Sequence, residues 1–489
     1  MHSTDQAIRE LSQALGSDRV VVDRAGLLQP EQVLVRQFEK AFDYVPEHLP
    51  VCILKLRSTE EVADAVRYCN ENGLSVIVQT GASSSEDQLL VVNDHTVVFD
   101  LSGMDAVVSL DAENMTATVG CGMRLARLEQ LANEKGLTTG HWPQSQPLAC
   151  MGGLVAVRSI GQFSTYYGGI EDMLCGLEAV LPDGQVVRIR NVPRSAAGPD
   201  LRHFFMGTEG AIAIITEVTV KLFTHYPDSW WKGAYVVPSF EAGLDAIREV
   251  IVKGFRPGVV RLYDKLDMDF NYGGFVELQD GEACMFFVAE GPPSITAAIG
   301  AAIDEIAPHH GARAVDTAVV DHWLRVRNDV CKILGTEEIR NRYRETQAFY
   351  TTCEVSASWT DIKRIYRNVM ANLPGEIDNL LGIGGHVSHS YQNGTNIYFV
   401  YVLKAKDPLR MWESDRAVKS AIVTEVLKEP TGGSVHHHGA GKMRANRVAD
   451  ELGSSYDLLR RMKRELDPNG TMNPGCLIPL EAWPAEAGA

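Results

Sequence analysis

Apolar positions in the first hundred residues fall into short runs separated by polar, glycine-bearing turns. The run "LPVCILKL" (49–56) predicts a strand. Behind it, Ser58 or Thr59 caps the predicted helix "TEEVADAVRYCNENG", which has acidic residues in its first turn and glycine at its end. A second strand, "LSVIVQT", enters the polar loop "GASSSEDQ", which makes a strand–helix–strand start. Residues 96–122 alternate short strands with turns, and Leu125, Leu128 and Leu131 mark an amphipathic helix. "GLEAVLPDGQVVRI" predicts a hairpin turning at Asp183-Gly184, and "AIAIITEVTVKLF" a β-branched strand.

The pattern changes near residue 225. From there, strands such as "KGAYVVP", "EACMFFVAEG" and "TNIYFVYVLK" mix with helices such as "FEAGLDAIREVIVKG" and "SITAAIGAAIDEIA". The fold class read from this is α+β. Four segments are expected: a helical N-terminal stretch (1–45, with "DQAIRELSQAL" and "EQVLVRQFEKAF"), a first domain (46–224), a second domain (225–430) and a C-terminal segment (431–489).

Composition narrows the function. A chain of 489 residues is too long for one core. The formal net charge of −17 argues against nucleic acid and anionic membrane surfaces, although a local basic pocket for a small anion stays open. No apolar run approaches the roughly 18 residues of a membrane span. The N-terminus lacks the pattern of a signal peptide, so a cytoplasmic location is expected. Nine scattered cysteines, none in a Cys-x-x-Cys pair, read as free thiols.

Neither G-x-G-x-x-G after the first strand nor a P-loop is present. Glycines cluster instead in "CMGGLVAVRSIGQFSTYYGGIEDM", within a stretch (139–169) of weak periodicity. Glycine lets backbone amides approach a ligand closely, and a loop that long is usually functional. "TTGHWPQSQPLACMGGLVAVRSIGQFSTYYGGIED", then "GPDLRHFFMGTEGAIAIITEVTVKLF", then "LDPNGTMNPG" resemble the vanillyl-alcohol-oxidase, or PCMH-type, FAD-binding family. Further stretches, "RLYD" (261–264), "GHVSHSYQNGTNIYF" and "HHHGAGKMR", are similar to its alkyldihydroxyacetonephosphate synthase branch.

The resemblance implies a two-subdomain FAD-binding domain, an α+β cap domain and FAD between them. Its flavin-binding positions would be Gly81, Ser83, Ser84, Ser145, Gly152, Gly153, Arg158, Ser159, Gly161, Tyr167, Gly168, Glu209, Gly210, Ile215 and Thr216. The chain departs from the family in one loop. A Gly-Gly-Gly-Thr-Ser turn that cradles the FAD diphosphate is replaced by "QTGASSSEDQ", where Glu86 and Asp87 would repel a phosphate they faced. No residue matches a covalent flavin linkage, so non-covalent FAD is expected.

Three histidines at 436–438 then acquire a context. On a strand their side chains would alternate faces, so His436 and His438 could share a ligand but His437 could not easily join them. Relatives that oxidise D-2-hydroxy acids carry Glu-His-Gly here, and loss of that Glu makes a metal centre unexpected. The resemblance makes His436, His437 and His438, with Tyr398, the face of a flavin-dependent active site. Arg261 and Arg344, with Arg342 as the alternative to the latter, would hold an anionic small-molecule substrate. Glu354 and Trp359 would support the site, and Lys442 and Arg444 would meet the substrate or the flavin. Three functions follow: oxidation of an alcohol or hydroxy acid by hydride transfer to FAD, a flavin-adduct transferase without net redox, or a non-catalytic flavin-fold binder. Analogy suggests a homodimer.

Overall fold

The computed structural model describes residues 4–28 and 36–482. Four strands form the first sheet, in the order Val20–Val21, Cys52–Lys55, Thr96–Asp100 and Ser75–Gln79, the last three parallel. The expected strand–helix–strand unit is therefore split, because Thr96–Asp100 inserts between its two strands. Its helix is Thr59–Asn72, where the Ser58 side chain accepts the Glu61 N–H and Gly73 ends the helix at φ 71°. Such a cap is worth about 1 kcal/mol. A second sheet is antiparallel, in the order Val107–Asp111, Thr116–Gly120, Ile214–Lys221, Leu174–Val180 and Val186–Ile189. Its last two strands are the hairpin predicted at Asp183-Gly184.

The second half is built on an eight-stranded antiparallel sheet. Its long strands include Trp231–Val237, Ala283–Ala289, Val259–Asp264, Leu380–Val387, Gly394–Lys404 and Ala348–Ser358. Period-two alternation gives that sheet two different faces. Leu262, Met285, Phe287, Val355, Ile397 and Phe399 pack under the helices Phe240–Val252, Pro293–Ile306, Trp359–Glu376 and Met411–Val426. Tyr263, Phe286 and Val288 face the other way, where they join Trp142, Phe163 and Tyr167 from the first half. The sheet is thus covered on one side by its own helices and on the other by the first-half residues that it meets.

The N-terminal stretch divides between the two halves. Helix Thr4–Leu15 packs Ala7 and Leu11 on the first sheet's core. Phe38 and Ala41 enter the core of the second half. Only the turn Gln37–Lys40 of the expected "EQVLVRQFEKAF" helix is described, and residues 31–35 lie outside the described residues. At the far end, the Val76 amide donates to Thr471 and the Asn473 amide to Val76, which returns the Asn473-Pro-Gly turn to the first sheet. No helix among the described residues is long and apolar enough to cross a membrane.

Where the halves meet, Glu290 is fully buried near Tyr167. Burial raises its carboxyl from 4.5 to about 7, against the effect of Tyr167. A carboxyl raised on folding contributes stability below its unfolded value and loses it as pH rises through its folded value. The Glu290→Gln variant cannot titrate there. Between pH 5 and pH 8 the parent should therefore lose stability relative to the variant, by about 3 kcal/mol at most. Paired thermal melts across that range test this, and a difference independent of pH would refute it.

Candidate active site and cofactor cavity

A cavity of about 810 Å³ lies between the halves. One wall is the loop from Gln79 to Leu89 with residues around Ser145, Gly152 and Glu209; the other is the free face of the eight-stranded sheet. Strand register decides which sheet residues reach it. Tyr263 pairs with His386, His386 with Tyr398, and Tyr398 with Glu354, so four strands set these side chains in one row. Tyr263 stacks on His386 at 5.0 Å, and His386 on Tyr398 at 4.7 Å. Arg261 shares the face of Tyr263, buried in the cavity wall with its guanidinium 4.9 Å from the Trp323 ring centroid. Its Nε has no hydrogen-bond partner among the described residues.

The histidine run lies over this row, and it is not a strand. His436 and His437 turn toward each other, with their Nδ1 atoms 2.7 Å apart. The Tyr398 hydroxyl is hydrogen-bonded to His437 Nε2, and His436 Nε2 lies 2.7 Å from the Tyr391 hydroxyl. His438 instead turns its Nδ1 to Glu354, at 2.9 Å. Contrary to the strand-based expectation, His436 and His437 are the hydrogen-bonded pair, while His438, its ring 4.4 Å from that of His437, gives its Nδ1 to Glu354. Burial pushes His436 down to about 4 and holds His437 and His389 well below the usual imidazole range. Burial also raises the Tyr398 phenol, and the Glu354 carboxylate adds to that rise.

Glycine is needed behind the run for a steric reason. A Cβ at Gly439, which has φ 79°, would lie 2.5 Å from Glu209 Oε2, and one at Gly441 would lie 1.8 Å from the Glu86 carbonyl oxygen. The Glu209 carboxylate accepts the Ala440 and Gly441 amides, each at 2.9 Å. The Gly-Ala-Gly turn is clamped between two loops of the flavin-binding half.

Glu86 and Asp87 are both buried, and each faces a cation. Lys419 Nζ donates to Glu86 at 2.9 Å, and Arg36 Nη2 to Asp87 at 2.6 Å. Arg444 lies 3.3 Å from Glu86 and donates to Glu354 at 2.9 Å. Burial alone would raise the Glu354 carboxyl, but Arg444 and His438 hold it well below the usual range. The expected repulsion is thus answered inside the protein. Sequence reasoning missed Arg36, Lys419 and the Arg444–Glu354 link, because their partners lie up to several hundred positions away.

Of the positions expected to bind flavin, Gly81, Ser83, Ser84, Ser145, Gly152, Gly153, Ser159, Glu209, Gly210 and Ile215 line the cavity. Arg158, Gly161, Tyr167, Gly168 and Thr216 are not among its lining residues. The Thr216 hydroxyl donates to Glu178 within the sheet, Tyr167 packs on Phe223, and Arg158 lies near Glu171 with its side chain 57% exposed. Arg344 also points elsewhere, bonding the Ala41 carbonyl and Glu337, while Arg342 lines the cavity. The cradle fits a flavin dinucleotide in size and chemistry: at Gly210, which lines it, an added Cβ would meet nothing closer than 4.0 Å, and the buried Ser84 hydroxyl has no partner among the described residues. Among the described residues, two groups could hold a metal by proximity: His389, His436 and His437, and Glu86, Glu354 and His438. The carboxylates of the second are already paired with Lys419 and Arg444.

Fold and cavity define the class, a flavin-binding protein of PCMH-type architecture. Residues 50–190 match the FAD binding domain family, and residues 233–477 the C-terminal domain of FAD linked oxidases. The chain belongs to this FAD-linked oxidoreductase family. It is 41% identical to the uncharacterized FAD-linked oxidoreductase YgcU of Escherichia coli (strain K12), over 97% of this chain and 98% of that one. It is 26% identical to alkyldihydroxyacetonephosphate synthase of Caenorhabditis elegans, over 89% and 77% of the two chains. D-lactate dehydrogenase [cytochrome] 1, mitochondrial, of Saccharomyces cerevisiae is also 26% identical, over 88% and 74%. A solved alkyldihydroxyacetonephosphate synthase shares the fold, with TM-score 0.74 at 19% identity, covering 97% of this chain and 86% of that one. Solved p-cresol methylhydroxylase, at 18% identity, does so with the same TM-score over 98% and 97%.

Gly81 sits where a Cβ would come 2.1 Å from the Leu148 carbonyl oxygen. Gly81→Ala should therefore lower flavin content and melting temperature together. Gly103→Ala, with open space around it, should change neither. Flavin absorbance per chain and thermal melts decide, and retained flavin in Gly81→Ala would mean that the loop can shift.

Proposed function

We propose that this chain oxidises the CH–OH carbon of a small anionic alcohol or hydroxy acid, with non-covalent FAD supplying the hydride acceptor. The substrate loses a hydride and a hydroxyl proton and becomes a carbonyl compound. The single observation that carries this reading is a continuous hydrogen-bonded path for the proton. Tyr398 donates to His437 Nε2, which leaves the proton of His437 on Nδ1. That Nδ1–H donates to His436 Nδ1 at 2.7 Å, and His436 Nε2–H to the Tyr391 hydroxyl at 2.7 Å. This tautomer set and its reverse, in which Tyr391 donates and Tyr398 accepts, each satisfy every link. Tyr391 is 36% exposed, so the path runs from cavity to surface.

A relay of this kind needs neutral imidazoles and a protonated phenol at rest. Burial supplies both, by lowering His436 and His437 and raising Tyr398. As Tyr398 takes the substrate proton it passes its own to His437, and each hop exchanges one tautomer for the other. The buried Arg261 guanidinium offers a cation for a carboxylate or phosphate, and Trp323 holds its plane. D-lactate dehydrogenase among the relatives is consistent with a hydroxy-acid donor.

A second reading has an observation of its own. Val326, Val330, Ile333, Leu334, Ile339 and Phe349 make one end of the cavity apolar, which would suit a long alkyl chain. With alkyldihydroxyacetonephosphate synthase among the relatives, this favours a transferase that uses the same proton path without net redox.

Anaerobic addition of hydroxy acids to the yellow protein separates the two readings. Bleaching of the flavin band is expected, and a band unchanged by any donor while acyl or alkyl exchange proceeds would favour the transferase. Tyr398→Phe should slow bleaching about 10²–10⁴-fold at unchanged flavin content. An undiminished rate would remove Tyr398 from the path. Arg261→Ala should raise the donor concentration needed about tenfold or more, whereas Arg344→Ala should leave it near the parent value; equal effects would reject Arg261 as the anion clamp.

A further inference from the structure

A diphosphate is ordinarily held by clustered backbone amides or by guanidinium groups. The loop "QTGASSSEDQ" has one glycine to offer and two carboxylates. Each carboxylate brings a cation to the loop, but the cations are not equivalent. Lys419 is shared between Glu86 and Asp415, and Arg444 between Glu86 and Glu354. Arg36 gives only Nη2 to Asp87. Its Nε and Nη1 have no hydrogen-bond partner among the described residues, although its side chain is only 5% exposed. The nearest paired carboxylate to Nη1 is Glu39, at 3.9 Å, beyond hydrogen-bond reach.

Three further observations concern this guanidinium. Its Cζ lies 4.6 Å from the Trp412 ring centroid, over the ring. Arg36 lines the same cavity as Ser84, whose buried hydroxyl is also unpartnered. Finally, Arg36 sits at φ 54°, a left-handed conformation that costs a non-glycine residue about 1 kcal/mol or more. A strained, buried arginine with two idle donors is costly unless a ligand accepts from them.

We propose that Arg36 and Ser84 bind the diphosphate of FAD, beside the backbone amides of a loop that has one glycine. Asp87, rather than repelling the phosphate, is the positioning residue that holds Nη2 and turns the Nε–Nη1 edge toward it. A residue from before the FAD binding domain thereby completes the cofactor site. This inference rests on FAD binding and is independent of the oxidation proposed above.

The test is flavin affinity rather than activity. Full-length chain stripped of flavin is titrated with FAD or with riboflavin, which has no phosphate, and binding is followed by quenching of flavin fluorescence. Arg36→Met should weaken FAD binding about tenfold or more, leave riboflavin binding unchanged, and be partly restored in Arg36→Lys. Ser84→Ala should show the same selectivity with a smaller loss. Equal loss for FAD and riboflavin would make Arg36 a prop for the loop, and unchanged FAD affinity in both variants would overturn the proposal. If Arg36→Met does not fold, Ser84→Ala alone decides, since an unaltered ratio of FAD to riboflavin affinity there is equally fatal.

Discussion

Four side chains in line hold the site together: Glu86 on the flavin loop, Arg444 behind the histidine run, Glu354 on the eight-stranded sheet, and His438 at its end. Lys419 closes the other side of Glu86. Glu86, Glu354, Arg444 and Lys419 are all buried. A buried charge is tolerated only when paired, and removing one partner from such a pair typically costs about 3–5 kcal/mol. The flavin loop, the eight-stranded sheet and the histidine run therefore cannot move independently, and charge pairing adds to the apolar packing of Trp142, Phe163 and Tyr167 on the sheet.

The rest of the site follows from that anchor. With His438 committed to Glu354, the two histidines before it are free to face Tyr398 and Tyr391. The glycines after it fit because the chain must pass between Glu209 and Glu86 with no room for a side chain. Beneath the run, antiparallel register aligns Tyr263, His386, Tyr398 and Glu354 across four strands, a row that no single segment of chain could supply.

The chain shares the architecture of its family. Its relatives carry names that imply different chemistry, among them a dehydrogenase and a synthase, so fold alone does not choose a reaction. The chemistry of this chain's flavin loop is local. Acidic residues in the flavin loop recruit cations from the N-terminal stretch, the helix Met411–Val426 and the C-terminal segment.

Much of this was legible in the sequence. Period-two alternation, the capped helix after Ser58 and the Asp183-Gly184 hairpin are local effects, determined by backbone sterics and by which side chains exclude water. Glycine-rich motifs identified the flavin family for the same reason, since a ligand cradle needs small residues at fixed spacing. Other features were decided only in three dimensions: the insertion of Thr96–Asp100 between two earlier strands, the outward turn of Arg344, the facing of His436 and His437, and the neutralisation of Glu86 and Asp87. Each depends on groups brought together from distant positions in the chain. Spacing along a sequence carries no information about which cation will lie against which carboxylate once both are removed from water.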